Sequence, residues 1–321
     1  MKNLRQILKE AEEKKVAVGH FNFADLIGFK AIVEAAEELG VPVILGTSEG
    51  EAKFVGREQA VALVKSLQKA GKPVFLNSDH TKSLEEVKKA ADAGYDAILF
   101  DGGTLPLEEN IRQTKEVVEY IKSINPEIII EGELGNIGSG SSIRKELPKG
   151  LGLSLSKGAA KIRPEDLTKP EDAARFLKET EVDLLAPAVG NLHGMFIPLE
   201  TARPMGPLGA QARARSLTGF AKGYDYPLDI ERIQAIKKAV KIPLVLHGGS
   251  GNTDADFLAA IDAGVAIIHI NTEIRVAWRK GLESGLHKDI EEIAPYKVEP
   301  EAVEVMKAVV KARLKLFNKL S

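Results

Sequence analysis

The 321-residue chain carries 44 Lys and Arg against 46 Asp and Glu, a formal net charge of −2. This balance offers no extended basic surface and argues against a nucleic-acid or anionic-membrane partner. The absence of cysteine excludes disulfides, thiolate catalysis and cysteine metal sites, so any metal must be held by nitrogen and oxygen. No apolar stretch reaches the roughly 18 residues that span a bilayer, and the N-terminus lacks the apolar region of a secretory signal. We therefore expect a cytoplasmic protein.

Eight short apolar runs recur along the chain, and almost every one is followed by an amphipathic stretch such as DLIGFKAIVEAAEEL. The runs are KVAVGHF, VPVILGTS, KPVFLNS, DAILFDGG, EIIIEGEL, VDLLAPAVG, KIPLVLH and AIIHIN. Runs that are apolar throughout are typical of parallel strands covered on both faces. Eight strand–helix units predict an α/β fold, a (β/α)8 TIM barrel. An open doubly wound sheet is the main rival, but no Gly-x-Gly-x-x-Gly follows the first run.

Two long segments interrupt this alternation, at about residues 136–168 and 194–227. Both follow predicted strand ends, on the face where barrel enzymes build their active sites. We interpret residues 1–321 as a single barrel domain with these two long loops and a C-terminal helix over about residues 299–318.

Polar residues stand at the end of strand after strand, where they are poorly placed for packing and well placed for chemistry. They are His20, Asn22, Ser48, Asp79, His80, Asp101, Glu131, Glu133, Asn191, His193, His247, His269 and Asn271. Three of them, His80, His193 and His247, immediately follow strands three, six and seven. Neutral imidazoles with an open coordination position are typical of a catalytic Zn²⁺ site. We interpret His20 as a satisfied histidine near a strand end and His287 as a surface residue.

Asp79 and His80 are neighbours, although successive side chains of a strand point to opposite faces. The two could share one pocket only if the backbone turns there, so we expect strand three to end at about Ser78.

Two glycine- or asparagine-bearing turns, LHGGSG at His247–Gly251 and INTE at Ile270–Glu273, each lead into a helix. Glycine lets the backbone approach an anion closely, and the N–H groups at a helix start favour phosphate. Loops seven and eight of barrels often bind phosphate, and we predict a phosphate site here.

With SDH, EGELG, NLHG, VLHGGSG and INTE in this order at strand ends, the sequence resembles the class II, metal-dependent ketose-bisphosphate aldolases, chiefly fructose-1,6-bisphosphate aldolase. The resemblance implies a homodimeric or homotetrameric TIM barrel of glycolysis and gluconeogenesis. Its reaction would be reversible cleavage of fructose 1,6-bisphosphate into dihydroxyacetone phosphate and glyceraldehyde 3-phosphate. The implied cofactor is Zn²⁺, with another divalent metal as the alternative and a monovalent cation as an additional candidate.

The resemblance also assigns roles to residues. It implies His80, His193 and His247 as zinc ligands, Glu133 and Asp101 as secondary metal positions, and Asp79 as the acid/base at the C4 oxygen. The implied substrate-binding residues are Asn22, Ser48, Gly194, Gly248, Ser250, Asn271 and Thr272. His269 replaces an asparagine of the family, and two interpretations stay open for it: substrate binding or packing.

The sequence departs from the family at two further places. The acidic loop after ELG is replaced by NIGSGSSIRKE, in which Glu146 is the nearest acid. Glu301 stands where the family often has an arginine that grips the far phosphate. The cations of the two long loops that could replace it are Arg144, Lys145, Arg203, Arg213 and Arg215.

Three alternatives to fructose 1,6-bisphosphate cleavage remain. The closest is an aldolase for tagatose bisphosphate or another phosphorylated ketose. A metal-dependent hydrolase typically adds a His-x-His pair on the first strand, whereas His20 stands alone. A non-catalytic sugar-phosphate-binding relative is suggested by the missing acidic loop, but retention of the three histidines argues against it.

Overall fold

The computed structural model describes residues 2–138, 140–144, 153–156, 159–196 and 228–321. Eight parallel strands form a closed barrel in which each strand pairs with its neighbours in sequence and the last pairs with the first. They are β1 Val18–Asn22, β2 Val43–Ser48, β3 Val74–Thr81, β4 Ala97–Phe100, β5 Ile129–Leu134, β6 Leu184–Pro187, β7 Leu244–Leu246 and β8 Val265–Ile270. The predicted TIM barrel is confirmed, and each strand falls on one of the eight apolar runs.

Helices follow the strands and surround the barrel. The described helices are α1 Leu4–Lys14, α2 Leu26–Leu39, α3 Glu49–Val55, α4 Arg57–Lys69, α5 Leu84–Ala93, α6 Leu107–Ile124, α7 Pro170–Thr180, α8 Ile230–Val240, α9 Asp254–Asp262, α10 Thr272–Lys288, α11 Pro295–Val298 and α12 Pro300–Phe317. Several begin at a side-chain cap: Asp25 accepts from the N–H of Gly28, and Ser83 from that of Glu86. Caps of this kind satisfy the free N–H groups of a first turn. Among the described residues, no helix has the length and apolarity that a membrane crossing requires.

The barrel interior is apolar at one end and polar at the other. Inward residues of the strands, including Val18, Ile44 and Phe75, pack in one cluster with Leu4 and Leu8 of α1. Helix α1 therefore closes the end at which the strands begin. The charged and histidine side chains lie toward the carboxyl ends of the strands, where the polar residues were predicted.

Strand β3 does not end at Ser78 as expected. It continues to Thr81 with an irregular register against β4 between Ser78 and Thr81, and His80 has a left-handed backbone with φ of 54°. A residue of this kind inside a strand redirects the side chains that follow it. The backbone therefore turns within the strand, and this turn brings the side chains of Asp79 and His80 close together, with 3.9 Å between Asp79 Oδ1 and His80 Nε2.

The two long loops contain short strands of their own. Ile143–Arg144 pairs with Met195–Phe196, so the loops meet beside the barrel. Leu153–Ser156 and Ala159–Ile162 form an antiparallel pair within the first loop. The predicted roles of Lys145, Glu146, Arg203, Arg213, Arg215 and the Arg144 side chain lie outside the described residues.

Candidate active site

Three histidines and one glutamate converge at the carboxyl end of the barrel. The ligand-capable atoms of His80, Glu133, His193 and His247 all lie within 4.8 Å of one another. The ring centroid of His80 is 4.7 Å from that of His193 and 5.0 Å from that of His247. His80 and Glu133 lie on strands three and five, His247 directly follows strand seven, and His193 lies in the loop after strand six. The residues are therefore distant in sequence and close in space.

Two carboxylates determine which imidazole nitrogens face the centre of this cluster. Asp101 Oδ2 lies 3.0 Å from His80 Nδ1, and Glu131 Oε1 lies 2.6 Å from His247 Nε2. The remaining nitrogens, His80 Nε2 and His247 Nδ1, are 3.3 Å apart. Carboxylates on the outer nitrogens of metal-binding histidines fix the tautomer and the ring orientation.

The cluster fits a divalent metal ion. His193 Nε2 and Glu133 Oε2 are buried and have no hydrogen-bond partner among the described residues. Buried polar atoms without a partner are costly, and an ion between them would satisfy both. Three nitrogens and one carboxylate oxygen form a donor set typical of zinc.

The predicted secondary metal positions therefore differ from one another. Glu133 lies in the cluster, whereas Asp101 contacts the outer nitrogen of His80. Glu131 appeared among the strand-end polar residues but received no role from the sequence. Its spacing of two residues from Glu133 places both side chains on one face of β5, and this was the signal that could have identified it.

The charges of the cluster are strongly coupled. Burial lowers the pKa of His80, but the carboxylates of Asp79, Asp101 and Glu133 outweigh it and raise that pKa to about 10. Burial and the charge of Asp101 raise the pKa of Glu133 well above its usual range. Burial and the neighbouring imidazoles hold the pKa of His193 well below its ordinary value. Because a metal binds neutral imidazole, binding would release the proton of His80.

Asp79 is placed to act as a base. Its Oδ2 accepts a hydrogen bond of 2.9 Å from Asn22 Nδ2, and its Oδ1 lies 3.4 Å from His269 Nδ1. Burial raises its pKa, but the charge of His80 and the side-chain contact with His269 outweigh burial and hold the pKa well below its usual range. The carboxylate is therefore ionised and able to accept a proton.

A second carboxylate, Glu51, was not predicted. It is buried in α3, and its Oε2 accepts 2.8 Å hydrogen bonds from Asn22 Nδ2 and from Ser48 Oγ. Asn22 thus bridges Glu51 and Asp79. Ser48 caps α3 and does not line the pocket described below, which differs from its predicted place facing the sugar.

The structure is compatible with both interpretations of His269, and substrate binding stays a prediction. Its ring stacks on His20 at 3.5 Å with an interplanar angle of 3°, and it also lines a pocket beside the metal cluster. His20 is fully buried, its Nε2 lies 3.1 Å from Asn77 Nδ2, and burial lowers its pKa to about 4. Because imidazole lone pairs lie in the ring plane, two parallel stacked rings cannot both point at one ion. We therefore assign no second metal to this stack.

The pocket beside the metal cluster is lined by seven of the eight predicted substrate-binding residues, all except Ser48. Gly248 has a φ of 59°, and a Cβ there would lie 2.5 Å from the carbonyl oxygen of Leu192. Helix α10 begins in the pocket wall at Thr272, and the side chain of its N-cap residue, Asn271, makes no capping hydrogen bond. Asn271 Oδ1 is buried with no hydrogen-bond partner in the described part of the chain. A helix start without a cap from its own N-cap residue, beside a glycine-rich turn, suits an anion.

The sequence profile of the family described as "Fructose-bisphosphate aldolase class-II" matches residues 2–207 and 212–320. This chain belongs to the class II aldolase family. It is therefore an enzyme, a carbon–carbon lyase, and its class generally depends on a metal and acts on phosphorylated sugars. The hydrolase and non-catalytic alternatives are set aside.

Named aldolases match nearly the whole chain. Fructose-bisphosphate aldolase of Geobacillus stearothermophilus is 32% identical over 320 residues, 98% of this chain and 96% of the relative. A 6-phospho-5-dehydro-2-deoxy-D-gluconate aldolase of Shouchella clausii is 33% identical over 316 residues, 97% of this chain and 92% of the relative. The YdjI aldolase of Escherichia coli K12 superimposes with a TM-score of 0.72 at 27% identity, covering 99% of this chain and 97% of that one.

Proposed function

We propose that this class II aldolase uses Zn²⁺ to cleave fructose 1,6-bisphosphate reversibly into dihydroxyacetone phosphate and glyceraldehyde 3-phosphate. One observation carries the proposal. The metal-fitting cluster shares His193 with the wall of a pocket that is also lined by Asn271 and Thr272 at the start of α10. A metal site beside an anion site suits a substrate that has a carbonyl close to a phosphate.

In this proposal His80, His193 and His247 hold the ion, with Glu133 as the secondary ligand. When bound, the ion supplies Lewis-acid stabilisation of the negative charge that develops as the carbon–carbon bond breaks. Asp79 accepts the proton of the C4 hydroxyl in cleavage and returns it in condensation. Asn22 holds Asp79 Oδ2, so the carboxylate keeps one orientation throughout.

The remaining pocket residues bind the substrate. Ser250, Asn271 and the first turn of α10 take the phosphate of the dihydroxyacetone half. His269 and Asn22 contact the sugar. Where the family has an acidic loop, this chain has Gly140 to Ser142, which offer no carboxylate. Ser141 lines the pocket.

A substrate without the second phosphate is the other candidate. Glu301 lies in the first turn of α12, 3.6 Å from Lys288 Nζ, and offers no cation to a phosphate. The Shouchella clausii relative, whose name gives a different substrate, is as similar as the fructose-bisphosphate aldolases. Arg275 does not line the pocket, but its Nη1 donates to the carbonyl of Ser141, which does, and its Nη2 pairs with Glu51. It is our candidate for the far phosphate.

Substrate comparison tests the proposal. Metal-free protein reloaded with Zn²⁺ is assayed with fructose 1,6-bisphosphate, tagatose 1,6-bisphosphate and fructose 1-phosphate. We expect the highest kcat/KM with fructose 1,6-bisphosphate. A higher kcat/KM with tagatose 1,6-bisphosphate or fructose 1-phosphate would identify that compound as the preferred substrate. No cleavage of any of the three compounds would refute the proposal.

Asp79→Asn tests the acid/base assignment. The substitution keeps the shape of the side chain and removes the basic oxygen, so we expect kcat to fall at least about 100-fold with the zinc content unchanged. The matched control is Asp92→Asn on the exposed side of α5. A kcat within a few-fold of wild type would contradict the role.

The remaining expectations come from the resemblance. We propose a single-domain, cytoplasmic homodimer or homotetramer of glycolysis or gluconeogenesis, with a monovalent cation as an additional candidate ligand. Light scattering of the purified protein tests the oligomeric state.

A further inference from the structure

An arginine of the C-terminal helix α12 forms a bidentate salt bridge with a buried glutamate at the start of α10. Arg313 Nε lies 2.8 Å from Glu273 Oε2, and Arg313 Nη2 lies 3.0 Å from Glu273 Oε1. The Glu273 side chain is 1% exposed and that of Arg313 is 16% exposed. A bidentate pair with this little solvent is held in one geometry. The guanidinium also lies 5.1 Å from the ring centre of Phe257, which restricts it further.

The same glutamate ties the two phosphate-site loops together. Its Oε1 accepts a 3.2 Å hydrogen bond from the N–H of Gly251, in the turn after β7. Its own N–H donates to Ser250 Oγ at 3.3 Å. Ser250 and Thr272 both line the pocket. The position of one buried carboxylate thus sets the distance between the turn after β7 and the first turn of α10.

Arg313 itself does not line the pocket. Its third contact, from Nη1 to Asp254 Oδ1 at 2.8 Å, leads to the exposed first residue of α9 and away from the site. Without the guanidinium, Glu273 would be a buried charge without its partner, which is unfavourable. We expect Glu273 then to shift toward water and to draw Gly251 and the start of α10 with it.

We propose that Arg313 is a positioning residue for the phosphate site: through Glu273 it sets the spacing between Ser250 and the start of α10, and with it the affinity for the substrate phosphate. This inference rests on the proposed function, in which the pocket takes the phosphate of dihydroxyacetone phosphate. Asp79 and the metal cluster are not among the described contacts of Arg313 or Glu273, so the chemical step is not expected to change.

Arg313→Lys is the direct test, because lysine keeps the charge but cannot form the two-pronged contact. In the condensation reaction of the zinc-loaded enzyme we expect the KM for dihydroxyacetone phosphate to rise about tenfold, with kcat within twofold of wild type. The dissociation constant of dihydroxyacetone phosphate, measured by calorimetry, should rise by a similar factor. Zinc affinity should stay unchanged. A general distortion of the carboxyl end of the barrel would instead lower the zinc affinity as well.

Asp254→Asn is the matched control. It removes the exposed partner of Arg313 and leaves the contacts to Glu273, so KM and the dissociation constant should match wild type. Where Arg313→Lys does not fold, the double variant Glu273→Gln/Arg313→Gln replaces it. That pair is neutral and can still form one hydrogen bond, and the same rise in KM is expected.

The outcomes separate the two proposals. Wild-type protein that does not bind dihydroxyacetone phosphate would refute the proposed function. Wild-type binding together with unchanged binding by the folded variant would overturn the role of Arg313 alone. A fall in kcat with unchanged KM would also overturn it, because it would place the effect on the chemistry.

Discussion

Two of the three clustered imidazoles have one nitrogen bound to a carboxylate and the other turned inward. His80 is held by Asp101 and His247 by Glu131. Each carboxylate fixes a ring before any ion arrives, so little rotational freedom remains to be lost on binding. The metal affinity therefore depends on residues that never touch the ion.

Glu131→Gln should weaken zinc binding about 10- to 100-fold. The amide can still meet His247 Nε2, but it supplies no negative charge to hold the ring in its metal-binding tautomer. The affinity is measured by competition with a chromogenic chelator. Glu127→Gln, an exposed residue just before β5, is the control and should bind zinc as wild type does. Equal affinities in the two variants would contradict the orienting role of Glu131.

At the residue scale, the sequence identified side chains better than their contacts. His80, His193 and His247 stood out because each immediately follows an apolar run, and the structure brings them together. Glu51 and Arg313 could not be found in this way. Each acts on a residue from a different element, and the contacts between helices and distant loops depend on packing that periodicity does not reveal.

At the scale of elements, the loops after β6 and β7 pack against each other through a glycine. Gly248 has no room for a side chain, because a Cβ would lie 2.5 Å from the carbonyl of Leu192 and 3.0 Å from the N atom of His193. The contact holds the loop of His193 against the strand end that carries His247. The absence of a side chain at Gly248 therefore allows the segments that carry His193 and His247, two candidate zinc ligands, to pack this closely.

Gly248→Ala should separate these loops and weaken both zinc and dihydroxyacetone phosphate binding, each by at least about tenfold. Calorimetry measures both. Gly40→Ala is the control, because Gly40 also has a positive φ, 64°, but no atom within 4 Å of the new Cβ. It should cost about 1 to 2 kcal/mol of stability with ligand affinities unchanged. If Gly248→Ala binds zinc and dihydroxyacetone phosphate with wild-type affinity, the loops accommodate the methyl group and the prediction is contradicted.

The strands were predictable because each is a continuous apolar run, but the end of β3 was not. The polar residues Ser78 to Thr81 resembled a loop. The backbone nevertheless keeps its pairing with β4, where the N–H of Asp101 donates to the carbonyl of Thr81 at 2.9 Å. Pairing with a neighbour decides where a strand ends, and side-chain polarity alone does not show it.

On the scale of the whole molecule, the barrel is sealed by α1 at one end and buries polar groups at the other. His20 is fully buried among them, and burial lowers its pKa from 6.5 to about 4. In the unfolded chain this histidine binds a proton at higher pH than in the folded protein. Its contribution to stability is therefore lost as the pH falls from about 6.5 to about 4.

His20→Phe should remove this pH dependence, because phenylalanine keeps an aromatic ring at this position and does not titrate. Between pH 7 and 4.5 the unfolding free energy of metal-free wild type should fall about 2 to 3 kcal/mol further than that of the variant. Urea unfolding at the two pH values measures the difference. Parallel pH dependence in both proteins would show that His20 is not the group responsible.

The left-handed backbone at His80 has a further consequence for the relative positions of the candidate base and the candidate ligand. Because it turns two consecutive side chains toward each other, Asp79 Oδ1 lies only 3.9 Å from His80 Nε2. The candidate base and the candidate ligand are thus joined by a single peptide bond within a paired strand. Because both residues belong to β3, their separation does not depend on the loops around the pocket. Inserting or deleting one residue in β3 before Asp79 would displace both groups together, so we expect the length of this strand to tolerate less change than its composition.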